Sequence, residues 1–268
     1  MDLPLPRTAY DIEFDDEGRD GHAFGRPPGL RPEQWPRSRV NGLPMAHLFT
    51  VRVPEEYRCA GGDLAGLSVF QSDDHVADAV EGAADAIGGA APPEHGPQAA
   101  AFWSALAAYA EDRHARERYR EDEIGGGWAW IWLTEAELAA PPCPLPDPAT
   151  KEPDQTDDDC ADAWRHDRPA RPLRLRARAD DPNAGKRYDE WGSSGSGYVE
   201  MHSEEGERLG LKERFFDRCH FGGTATVANG GDFGPFFLGF GEALGDPNLG
   251  GGGFAHLDLE TEEIDWSQ

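Results

Sequence analysis

Eight residues, GWAWIWLT from Gly127 to Thr134, constrain the fold more than any other part of the chain. Trp128, Trp130 and Trp132 alternate with Ala129, Ile131 and Leu133, the two-residue period of a strand with no polar side. A strand apolar on both faces must be covered on both. Each indole buries a large area, so three on one face build a core; if that face is open, the same three form the strongest interface hot spot in the sequence. Thr134 and Glu137 then make a capping box for one short helix, which PPCPLPDP ends.

Other segments supply partners for this strand. Leu43–Pro54 and Leu64–Ser72 read as strands. Asp73 or Asp74 caps a helix carrying Val76, Val80, Ala83 and Ile87, stopped by Gly88 and Gly89. A longer helix is predicted within residues 92–121, with Phe102, Trp103, Leu106 and Tyr109 as its apolar stripe and charged later turns. PLRLRARA, from Pro172, alternates like an edge strand with a charged outer face. WGSSGSGY, Trp191 to Tyr198, reads as a loop. Near the end, DFGPFFLGFGE reads as a buried strand and GGFAHLDLETEEIDW as strand, turn and strand, turning near Glu260 to Glu263. The expected fold is therefore α+β: a β-rich core with a divergent internal duplication and a few helices between its halves. Residues 1–140 form the first half, 141–197 a linker or long insertion, and 198–268 a second half sharing the same core.

The 268 residues carry 51 Asp and Glu against 25 Lys and Arg, a net charge of -26. Such a surface repels nucleic acid and anionic membranes and attracts basic proteins, although general solubility also produces it. No apolar run reaches membrane-spanning length. The opening MDLPLPRTAYDIEFDDEG is acidic and broken by Pro, unlike a secretion signal. Cys59, Cys143, Cys160 and Cys219 have neither CxxC nor zinc-finger spacing, which fits free thiols in a reducing, cytoplasmic setting.

Glycines crowd FGGTATVANGGDFGPFFLGFGE, Phe221 to Glu242, yet a strand pattern follows them rather than a helix, and neither phosphate-loop fingerprint is present. No nucleotide or other cofactor is expected. QSDDH, Gln71 to His75, has metal-ligand types but reads more simply as a helix start. Asp157 to Asp159 lack calcium-loop spacing and read as a solvated charge run. Cys219 and His220 are adjacent on a strand and point apart, so they form no dyad. No metal site and no catalytic group follow from these patterns.

HAFGRPPGLRPEQWP, from His22, and CHFGGTATVANGGDFG, from Cys219, share a His-Phe-Gly-like start and a turn-rich run into an apolar strand. The first, with NGLPMAHLFTV and LAGLSVFQS, resembles the opening of the YwqG-like family of bacterial proteins. Phe24, Gly25, Pro27, Trp35, Pro36, Gly42, Pro44, Leu48, Leu67 and Phe70 carry the likeness, and HFGGTATVANGGDFGPFFLGF is similar to the family's second half. Arg26 stands where the family has a second Gly, and residues 74–210 have no counterpart. The resemblance implies a duplicated β-rich core with a groove, and no known reaction; some members resemble immunity proteins.

The expected function is a non-enzymatic, cytoplasmic, immunity-type inhibitor that occludes a basic toxin or effector domain. The interface candidates are Trp128, Trp130, Trp132, Asp73, Asp74 and Trp191. The alternatives are an enzyme with a groove site and an acidic mimic of DNA. Converging His and carboxylates in a cleft favour the enzyme; even rows of carboxylates favour the mimic. An acidic patch around an apolar spot favours the inhibitor.

Overall fold

The computed structural model describes residues 4–151, 162–178, 180–188, 195–226 and 232–268. The fold is α+β and β-rich, with antiparallel strands. In chain order the strands are β1 (Ala9–Phe14), β2 (Gly21–Ala23), β3 (Ala46–Arg52) and β4 (Leu64–Ser72). Helices α1 (Ala83–Ile87) and α2 (Ala100–Asp112) come next, then β5 (Glu117–Glu121), β6 (Gly127–Thr134) and α3 (Glu135–Leu138). The chain continues through β7 (Arg171–Arg178), α4 (Glu204–Arg208), α5 (Leu211–Phe215), β8 (His220–Phe221), β9 (Phe237–Gly241), β10 (Phe254–Asp258) and β11 (Glu263–Ser267).

The chain divides into two compact units. The first comprises Met1–Ala23, Val51–Ala65 and Arg171–Gln268, so the two ends of the chain build it together. Its strands run β11-β10-β9-β8-β1-β7-β2. The second comprises Phe24–Thr50 and Gly66–Ala170, with most of β3 and β4 followed by β6 and β5. Residues 141–170 belong to the second unit and 171–197 to the first.

In the first unit, β7 is an internal strand rather than the expected edge. It pairs with β1 over six residues and with β2 over three. Its arginines need no solvent edge because β1 presents carboxylates at alternate positions. Arg174 pairs with Asp15 at 2.5 Å, Arg176 with Glu13 at 2.7 Å, and Arg178 with Asp11 at 2.5 Å. Opposite charges across antiparallel strands stabilise the pairing and set its register. The acidic N-terminal stretch therefore contains a central strand, which its sequence pattern does not announce. Of the glycines after β8, Gly222 has a structural duty: it is left-handed at φ 56°, and a Cβ there would overlap the Tyr57 hydroxyl; Gly230 and Gly231 lie outside the described residues.

In the second unit, β6 is buried throughout except Thr134, and Thr134 and Glu137 close the capping box at α3. Ala129, Ile131 and Leu133 pack with Trp35, Met45 and Phe70. The α2 stripe of Phe102, Trp103, Leu106 and Tyr109 is buried as expected, but the helix ends at Asp112. Glu117 to Glu121 leave the helix to pair with β6, because ladder bonds to that strand outweigh the helix preference of a charged run. The helix expected from Val76 shrinks to Ala83–Ile87; residues 73–82 are turns at 74–76 and 81–82 joined by irregular backbone.

Candidate functional site

Two turns of the second unit form the candidate site. The first follows β4 and runs through Asp73, Asp74, His75 and Val76. The second joins β5 to β6 and contains Asp122, Glu123, Ile124 and Gly125. They lie side by side, since a Cβ placed on Gly125 would fall 3.9 Å from the His75 Cβ. Val76 is 55% exposed and Ile124 52%, two of the few large apolar side chains left open to solvent. Around them Asp78, Glu81, Glu121 and Glu123 are exposed. The two adjoining turns thus expose apolar and acidic side chains together, with the exposed Arg39 at Tyr119 and Arg120 beside Glu121.

Buried polar contacts fix both turns. Asp74 accepts hydrogen bonds from the Ser38 hydroxyl at 2.5 Å and the Tyr119 hydroxyl at 2.9 Å. Burial raises its pKa above the ordinary carboxylate range, against the lowering effect of these donors. Asp122 accepts from the Gly126 backbone N–H at 2.7 Å and from Trp128 Nε1 at 2.9 Å. The Arg39 guanidinium lies 4.0 Å above the Tyr119 ring.

The sequence candidates are thus redistributed. Trp128, Trp130 and Trp132 are at most 1% exposed, so their face is closed and they are core, not interface. Asp73 and Asp74 are buried and present no charge to a partner; Asp74 is no helix cap, because its carboxylate is taken by Ser38 and Tyr119. They nevertheless hold the turn that carries Val76. Trp191 lies outside the described residues. Val76, expected on a helix face, stands on a turn, and Ile124 belongs to none of the sequence candidates; its signal is one apolar residue in the acidic run EDEIGG.

A cleft of about 470 Å³ in the same unit is lined by Leu30, His114, Glu137 and Pro142 among others. It joins a histidine to a carboxylate, the composition expected of an enzyme, but both groups have structural duties. Glu137 accepts from the Thr134 N–H and hydroxyl, each at 2.8 Å, and from His114 Nε2 at 3.3 Å, and it pairs with Arg116. Burial alone would raise its pKa, yet these donors hold it at about 2. His114 Nδ1 accepts from the Arg116 N–H at 3.3 Å, and burial lowers the imidazole pKa. Neither group has a free position for proton transfer.

The first unit holds a second polar centre. Asp181 receives the Thr224 N–H at 3.0 Å, the Thr224 hydroxyl at 2.8 Å and the Asn183 N–H at 2.9 Å. Arg178 reaches the Thr224 carbonyl at 3.0 Å and stands over the Phe215 ring at 4.7 Å. His220 and His256 are buried, and burial pushes the latter down to about 3. Burial also raises the Cys59, Cys143 and Cys219 thiols to about 12, which removes thiolate character at neutral pH.

Among the described residues no cluster of three or more His, Cys, Asp or Glu could hold a metal ion, and no helix is long and apolar enough to cross a membrane. Comparison with protein families, with curated proteins and with solved structures found no match to the chain.

Proposed function

We propose that this chain is a non-enzymatic, cytoplasmic binding protein of immunity type. It docks the turns bearing Val76 and Ile124 onto a basic toxin or effector domain. The observation that carries this reading is the presence of exposed apolar residues and exposed carboxylates together on two adjoining turns. Apolar contact supplies affinity in such a patch, and the carboxylates steer encounter. Sequence context supports it: no Lys or Arg occurs between Arg58 and Arg113, so Asp78, Glu81, Asp85 and Glu94 have no cationic neighbour along the chain. The resemblance to the YwqG-like family, with its immunity-like members, points the same way.

The test is co-purification with the protein encoded beside this one. Val76→Arg with Ile124→Arg is expected to abolish the complex, while Phe216→Arg, at an exposed site in the other unit, leaves it intact. Retention of the complex by the double variant would place the interface elsewhere.

A further inference from the structure

Arg37 is a buried cation without a counter-ion among the described residues. It is 3% exposed, and burial lowers its pKa to about 10. Among the described residues its side chain makes one hydrogen bond, from Nη1 to the Gly42 carbonyl at 3.0 Å, and its buried Nε has no partner. No carboxylate among the described residues pairs with it, in a chain where acids outnumber bases two to one. The placement is enforced. Ser38 N–H bonds the Leu43 carbonyl at 2.9 Å and Met45 N–H the Pro36 carbonyl at 2.9 Å, closing the turn. Gly42 then sits so near Phe102 of α2 that a Cβ would come within 2.7 Å of the ring. A lone buried guanidinium is costly unless an anion compensates it.

Arg37 lines a groove of about 470 Å³ between α2 and the Leu145–Thr150 segment. Ala101, Ala105 and Ala108 make its α2 wall, and their small side chains keep it open. At the rim stand Glu33 and Asp147, both exposed. Charge is therefore ordered with depth, positive at the buried floor and negative at the mouth. A simple anion meets repulsion at that rim, and a simple cation meets repulsion at the floor. A ligand with its carboxylate inward and a cationic group outward satisfies both.

The geometry points to a binding site for a carboxylate carried beside a cationic group, with Arg37 receiving the carboxylate and Glu33 and Asp147 the cation. A free basic amino acid and the C-terminus of a chain ending in a basic residue share this chemistry, and the volume suits either. The site is independent of the turns bearing Val76 and Ile124.

The experiment is calorimetric titration of the full chain with three probes: L-arginine, N-acetyl-Ala-Arg with a free carboxylate, and N-acetyl-Ala-Arg amide. At least one free-carboxylate probe is expected to saturate below about 10 mM, with the amide at least about tenfold weaker. Binding of L-arginine assigns the site to a free amino acid, and binding of the acetyl dipeptide alone assigns it to a chain terminus. Arg37→Gln should lose binding by about tenfold or more, and Glu33→Gln with Asp147→Asn by severalfold. Should Arg37→Gln fail to fold, Ala105→Leu narrows the groove without touching the guanidinium and should abolish binding. No saturation by either free-carboxylate probe, equal binding of the amide, or full binding by the folded Arg37→Gln or Ala105→Leu variant would overturn the proposal.

Discussion

Arg178 and Asp11 are bound 2.5 Å apart, Nε to Oδ1, with the arginine side chain wholly out of solvent. Asp11 and Asp181 flank the same buried guanidinium, and Asp11 also meets the half-exposed Arg218 at 3.2 Å. Arg178→Met removes the buried cation, leaving Asp11 with only the half-exposed Arg218 and Asp181 with only its neutral donors from Thr224 and Asn183. The expected loss is about 3–5 kcal/mol in urea unfolding. Arg176→Ala, in the next outward position of β7, loses a half-exposed pair and should cost no more than about 1 kcal/mol. Equal costs would mean that burial does not govern these pairs.

Gly127 opens β6 beneath the candidate site. A Cβ there would stand 2.5 Å from Asp74 Oδ2, 2.6 Å from Ser72 Oγ and 2.7 Å from the Tyr119 hydroxyl. Gly127→Ala should therefore break the Asp74–Tyr119 hydrogen bond and destabilise by about 1–3 kcal/mol. It should also weaken partner binding, because that bond holds the turn bearing Val76. A variant of unchanged stability would show that the site is more plastic than its contacts imply.

Glu117 gives a pH signature. Burial raises its carboxyl from 4.5 to about 7, against the lowering effect of the Tyr109 hydroxyl that donates to it. The folded state thus holds the proton more tightly than the unfolded chain. Its contribution is full below the unfolded pKa and is lost as pH rises through the folded one. Stability should fall by about 3 kcal/mol between roughly pH 4.5 and 7 from this group. Glu117→Gln, which stays neutral, should flatten that part of the curve. An unchanged slope in the variant would assign the pH dependence to other groups.

Much of this fold is written locally. The Trp alternation of β6, its capping box and the α2 stripe need no information from distant residues, and the structure has each where the pattern puts it. The failures share a cause. PLRLRARA reads as an edge because its partners, Asp11, Glu13 and Asp15, lie some 160 residues away. Asp74 reads as a helix cap because Ser38 and Tyr119 are 36 and 45 residues distant. ERYRE has no apolar period, so only its pairing with β6 decides that it is a strand. The candidate site was legible in kind, as acid beside apolar, but not in place. The three conspicuous Trp residues of β6 are in the core, and two aliphatic residues, Val76 and Ile124, stand outside.

The central claim is that an acidic surface recruits a basic partner. Its most direct test is the association rate of the complex across a salt series, compared with the dissociation rate. A net charge of -26 lies far beyond the magnitude of about 2–8 that solubility of a small domain needs. Electrostatic steering raises association by roughly 10- to 1000-fold and is screened over about 10 Å at 0.1 M salt. The account predicts an association rate that falls steeply as salt rises, with dissociation changing much less, since apolar contact at Val76 and Ile124 holds the complex. An association rate flat across the series would contradict it and reduce the acidity to a matter of solubility.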